Sequence, residues 1–178
     1  AYFDDPYLQC DCLFLLERIQ LLSRQIKILE EGILSNVEDE MEFQLLQTVP
    51  GIGKILALTI LLEAGDMQRF ATHRHFCSYA RVVPGIAQSS GSAKRGRGSK
   101  QGNVHLKNSF AQAASLAAIY NPTIRKFRQK HMARRRSKAR KLISNSIVAH
   151  KLAIAAYHIL KKQEPFREEL MFRAFQEA

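Results

Sequence analysis

Residues 41–66 read MEFQLLQTVPGIGKILALTILLEAGD. Apolar residues at helical spacing run to about Thr48, where Pro50 and two glycines break the pattern. A second helix is predicted over about 54–64, and Gly65 with Asp66 suits its end. Helix, tight Gly-x-Gly turn, helix is the helix-hairpin-helix pattern. Gly51 and Gly53 let backbone N–H groups approach a phosphate, and Lys54 opens the following helix, whose N-terminus adds partial positive charge. The same residues also fit a plain corner between two helices, because Pro-Gly-x-Gly turns are common.

Upstream, apolar residues recur at Leu8, Cys12, Leu15, Ile19, Leu22, Ile26, Leu29 and Ile33. The steps alternate four and three, the seam of a coiled coil, and Phe14, Leu21 and Ile28 widen it. A core helix would also carry such a stripe. Four heptads of regular seam favour an arm that pairs with another helix, in cis or in a homo-oligomer.

Downstream, a short helix is predicted over about 72–80. Small residues in NVHLKNSFAQAASLAAIY (Ala111, Ala114, Ser115, Ala118) predict a central, buried helix. Asn121-Pro122 then ends one helix and caps the next. A long amphipathic helix is expected over about 137–162, and residues 166–178 form a short helix or tail. No segment shows sustained strand alternation. The expectation is an all-α chain: a coiled-coil arm over 1–40, then a helical domain over 41–165 with one long basic loop over 88–103.

Charge is distributed unevenly. The chain has 178 residues and a net charge of +11. All 16 acids lie at or before Asp66 or at or after Glu164. Residues 67–163 therefore hold no carboxylate side chain, yet carry 21 of the 27 Lys and Arg and all six His. A solvated face normally mixes signs, so a stretch this one-sided implies a polyanion against it, with nucleic acid the first candidate. No apolar run approaches the roughly 18–20 residues that cross a bilayer. The opening residues lack a signal-peptide pattern. Cys10, Cys12 and Cys77 make neither a disulfide framework nor a zinc spacing, so they read as ordinary thiols and the cytoplasm is the default.

The long loop reads QSSGSAKRGRGSKQGN over residues 88–103. It could be an inert basic tether, or it could deliver a serine hydroxyl to a phosphate, since a glycine after serine permits a sharp turn. Lys94, Arg95, Arg97, Lys100 and the following Lys107 would neutralise phosphates, and Gly102 with Asn103 would turn the chain and cap the next helix. In TIRKFRQKHMARRRSKARK the basic residues Arg125, Lys126, Arg128, Arg134, Arg135 and Arg136 alternate with Ile124 and Phe127, which points to backbone contact with DNA or RNA.

Several motifs occur in a fixed order: VPGIG…ILLEAGD, YARVVPG…SSG, GSKQGNVHL, AQAA and AHKLAIAAYHIL. Over roughly residues 42–165 they resemble the C-terminal transposase domain of the IS-one-hundred-and-ten insertion-sequence recombinases, relatives of the Piv and MooV invertases. That resemblance implies a serine nucleophile giving a covalent protein–DNA intermediate. Ser89 fits as Ser-x-Gly and Ser90 as Ser-Gly, with Ser89 slightly preferred. It also implies a guide (bridge) RNA and a RuvC-like domain whose four acidic residues bind Mg2+. The motifs of that domain do not occur in this sequence, so the chain alone is expected to be inactive. A non-enzymatic helix-hairpin-helix binder of DNA or RNA is the alternative.

Overall fold

A computed structural model describes residues 5–83, 86–89, 92–95, 101–134 and 136–176. The chain divides into two units, Ala1–Glu38 and Asp39–Ala178.

The first unit is one helix, α1 (Pro6–Val37), slightly longer than its seam requires. Asp5 caps it by accepting from the Tyr7 N–H at 2.9 Å, and Pro6 opens the first turn. The seam residues Leu8, Leu15, Ile19, Leu22, Ile26, Leu29 and Ile33 are all exposed, as are Phe14, Leu21 and Ile28.

The second unit is built from α2 (Met41–Gln47), α3 (Lys54–Ala64), a 3-10 turn (Met67–Arg69), α4 (His73–Tyr79), α5 (Val104–Tyr120), α6 (Pro122–Ala133), α7 (Arg140–Lys162) and α8 (Glu168–Gln176). The all-α expectation holds, and predicted boundaries fall within a few residues of the observed ones. Two short strands, β1 (Ile86–Ser89) and β2 (Ser92–Arg95), pair antiparallel, overlapping the start of the predicted basic loop over 88–103.

The hub is α7, which packs against α2, α4, α5, α6, the 3-10 turn and α8. Residues 104–120 were expected to be central, but α5 is buried on one side only. It inserts Leu106, Phe110, Ala113, Ala114, Ala117 and Ala118 into the core and leaves Asn108, Gln112, Ser115 and Ile119 outside. The longer α7 buries Val148, Leu152, Ala153, Ala156, Tyr157 and Leu160 among its neighbours. Phe76 sits between α5 and α7, with ring centroids 6.1 Å from Phe110 and 6.2 Å from Tyr157. The Tyr157 hydroxyl is 3.2 Å from the carbonyls of both Phe70 and Ala71, which ties the start of α4 to α7. No helix among the described residues is long and apolar enough to cross a membrane.

Candidate nucleic-acid interface

The turn between α2 and α3 is closed by the Ile52 N–H donating to the Val49 carbonyl at 3.0 Å. Its two glycines do different work. Gly51 has φ +85°, and a Cβ there would overlap the Ala113 carbonyl oxygen and the Ala117 nitrogen. The turn thus rests directly on the backbone of α5, and packing alone requires glycine at 51. Gly53 has open space around its Cα, is exposed, and precedes α3, which has no side-chain cap. The exposed helix N-terminus at Gly53 and Lys54 is therefore the part of this motif that faces outward.

The serine segment leaves α4 and returns at α5 through a compact clasp. The Asn103 N–H donates to the Tyr79 carbonyl at 2.7 Å. Gly102, at φ +102°, lies so close to the same carbonyl that a Cβ would overlap its oxygen. Asn103 Oδ1 accepts from the Leu106 N–H at 2.9 Å and caps α5. Its Nδ2 donates to Glu63 Oε2 at 2.5 Å and lies 3.4 Å from the Tyr79 hydroxyl. The Arg69 guanidinium lies 4.5 Å from the ring centres of both Phe70 and Tyr79. The hydrogen bond from Asn103, then that from Arg69, hold the Tyr79 phenol below its ordinary pKa. Arg81, at φ +56°, begins the excursion beside this knot.

The cap predicted at Asn103 is present, and both polar atoms of its side chain are engaged within the protein. Glu63 and Tyr79 were not singled out as site residues, and no local pattern marks either: only the fold brings α3, α4 and α5 together here.

Between the clasped ends, Ser89 closes β1 opposite Ser92, while Lys94 and Arg95 in β2 stand opposite Ala87 and Ile86. Ser90, Arg97, Lys100 and Arg135 lie outside the described residues. On α6, Arg125 donates from Nε to the Ala118 carbonyl at 3.0 Å and from a terminal nitrogen to Ile119, so it covers the open carbonyls at the end of α5. Lys107, Lys126, Arg134 and Arg136 are exposed, and Arg128 is half-buried. Two exposed ion pairs, Lys27–Glu31 and Arg167–Glu164, join residues outside the carboxylate-free stretch.

No group of three His, Cys, Asp or Glu among the described residues is arranged to hold a metal ion. Asp66 accepts from the Gln68 N–H at 2.7 Å, and Glu63 is committed to Asn103. Burial pushes the Cys77 thiol up to about 12, so it stays protonated and unreactive at neutral pH.

Residues 43–129 match the Transposase IS116/IS110/IS902 family. It is 32% identical over 98 residues to a probable family 20 transposase of Pseudomonas aeruginosa, covering 55% of this chain and 29% of the relative. It is 29% identical over 163 residues to the transposase for insertion sequence element IS1111A of Coxiella burnetii, covering 88% and 43%. A pilin gene-inverting protein of Moraxella lacunata is 26% identical over 141 residues, covering 77% and 43%. The chain thus spans less than half the length of these relatives.

Proposed function

We propose that this chain is the serine-bearing, DNA-binding part of an insertion-sequence recombinase. The observation that carries the reading is the charge map. Residues 67–163 supply cations without a single carboxylate side chain, and within them lies a serine hairpin clasped at its base. The family match adds the reaction class.

In this reading Ser89 or Ser90 attacks a DNA phosphate. The serine oxygen bonds to phosphorus as the bond from phosphorus to a deoxyribose oxygen breaks, and the serine proton passes to a base. A deoxyribose hydroxyl of another strand then attacks the same phosphorus and releases the serine, so the number of phosphodiester bonds is conserved. Lys94, Arg95, Arg97, Lys100 and Lys107 offset phosphate charge around the attacked bond. The N-terminus of α3 at Gly53 and Lys54 works as a helix-hairpin-helix contact to backbone, and Lys126, Arg128, Arg134, Arg135 and Arg136 hold the duplex or a bridge RNA.

A serine hydroxyl needs a base or a metal to become a nucleophile. The described residues offer neither a metal set nor an uncommitted carboxylate at the clasp. Both requirements, Mg2+ included, fall to an acidic RuvC-like domain, and α1 pairs with a second copy to bring the halves together.

The test places Ser89→Ala and Ser90→Ala in a full-length relative that has the acidic domain. One of the two is expected to abolish strand exchange while DNA binding persists. Strand exchange retained by both variants and by their combination would leave a non-enzymatic binder as the better account.

A further inference from the structure

The exposed side of α5 lies within the carboxylate-free stretch. Its midline runs through Asn108, Gln112, Ser115 and Ile119, spaced i, i+4, i+7 and i+11, and none is charged. With Ala111, Leu116 and Asn145 of α7, the first three line an open groove of about 460 Å3. One wall is fixed. Asn145 Nδ2 donates to the Ala111 carbonyl at 3.0 Å, and Ser115 Oγ lies 3.1 Å from that carbonyl and 3.4 Å from Asn145 Oδ1. The side chains of Asn108 and Gln112 make no hydrogen bond among the described residues, so both exposed amides keep their donors and acceptors. Lys107, next to Asn108 on α5, and Lys141, one helical turn before Asn145 on α7, are both exposed.

A surface that only neutralises phosphates needs cations. Amides add the pairing of a donor and an acceptor on one planar group, which matches the adenine edge in the major groove. Exposed Leu116 and Ile119 add apolar surface of the kind that meets a thymine methyl. The stretch from Asn108 to Ser115 spans about 10 Å along the helix axis, or roughly three base-pair steps. We infer that α5 is a base-reading helix, with Asn108 and Gln112 recognising A·T pairs in the major groove of duplex DNA while Lys107 and Lys141 hold the flanking phosphates. This rests on the proposed nucleic-acid role and goes beyond it, because it assigns sequence choice to the protein itself at a few base pairs. Duplex RNA fits the site poorly, since its major groove is too deep and narrow for side-chain reading.

The experiment is selection from a randomised duplex DNA pool by the 178-residue chain, compared with the Asn108→Ala/Gln112→Ala double variant and with Lys107→Ala. All three positions are exposed, and circular dichroism verifies that the variants remain folded. The wild type should enrich A·T pairs at two or three adjacent positions. The double variant should lose roughly 5- to 150-fold of that discrimination per lost amide pair, while its bulk affinity and salt slope stay close to wild type. Lys107→Ala should weaken all sequences alike and lower the salt slope by about one unit. Equal enrichment by wild type and double variant overturns the inference, as does binding with no enrichment or a preference for structured RNA. Failure of the wild type to bind any nucleic acid would overturn the proposed function itself, a separate result.

Discussion

Asn103 and Glu63, 40 positions apart in sequence, meet through a 2.5 Å hydrogen bond from Nδ2 to Oε2. The same asparagine caps α5 and, through its main-chain N–H, holds the Tyr79 carbonyl, so one residue joins α3, α4 and α5 where the serine segment begins and ends. The device recurs at the other end of α5. There Asn121 caps α6 with Oδ1 and donates from Nδ2 to Glu168 at 2.6 Å. Removing the Asn103 side chain deletes a cap and a charge-assisted bond. Asn103→Ala is therefore expected to destabilise the protein by about 2–4 kcal/mol in urea unfolding. Glu63→Gln retains an acceptor and should cost about 1 kcal/mol or less. A double-mutant cycle on Asn103→Ala and Glu63→Ala should show coupling of about 1–2 kcal/mol, and additive effects would mean that the bond contributes nothing.

The two glycines of the α2–α3 turn should separate packing from binding. Gly51→Ala forces a side chain into positive φ and against the α5 backbone, and should cost about 2–4 kcal/mol. Gly53→Ala meets open space and should change stability by less than about 1 kcal/mol. If α3 presents its N-terminus to phosphate, Gly53→Ala and Lys54→Ala should still weaken duplex binding measured by anisotropy. Equal destabilisation by the two alanines would refute the division.

Much of this fold was legible in the sequence because caps and breakers are local signals. Asn121-Pro122, Gly65-Asp66 and the Asn103 cap each mark a helix end by their own chemistry. The register of the tight contact on α5 was less legible. Ala111, Ala114, Ser115 and Ala118 stood out as the close-packing face, whereas the turn at Gly51 sits on Ala113 and Ala117. A helix with small residues on several sides does not say which stripe its neighbour will use. The pairing of Ile86–Ser89 with Ser92–Arg95 escaped for a different reason: Ala and Lys have weak strand preference, and neither segment shows sustained strand alternation. The roles of Glu63 and Tyr79 depend on contacts between distant segments, which periodicity does not encode.

Salt should report on the interface independently of any serine chemistry. If six to ten phosphates are engaged, affinity for a duplex should fall by about three to five decades between 50 and 200 mM salt. An affinity that barely changes over this range would leave the cationic stretch without its proposed partner.

Stability should fall on mild acidification. Burial, then Lys151 and His73, hold His150 below its ordinary pKa, and burial, then His73 and Lys162, do the same for His158. Both therefore favour the neutral form when folded. As pH falls through the unfolded value of about 6.5, the unfolded chain takes up these protons first, so stability present above about pH 7 is progressively lost. The melting temperature should be lower at pH 5.5 than at pH 7.5. Among the described residues His150 Nδ1 is also buried without a hydrogen-bond partner, so His150→Leu should be tolerated at pH 7.5 and should flatten the profile. A variant whose melting temperature tracks the wild type across this window would exclude His150 as a contributor.

The α1 arm makes the last prediction. Its seam from Leu8 to Ile33 is apolar at alternating three- and four-residue steps and exposed along its length, with Ile19 60% and Ile26 55% exposed. An isolated helix in water gains little from propensity, and burial of such a stripe is what stabilises long helices. Pairing two copies through this seam would supply that burial, as the proposed function requires. Sedimentation equilibrium should then show a species larger than one 20.3 kDa chain. Ile19→Glu/Ile26→Glu places like charges in the seam and should shift the protein to monomer, while leaving the salt-dependent DNA affinity of single subunits within a few-fold of wild type. A wild-type chain that stays monomeric at tens of micromolar, with α1 still helical by circular dichroism, would remove the arm's role in bringing subunits together.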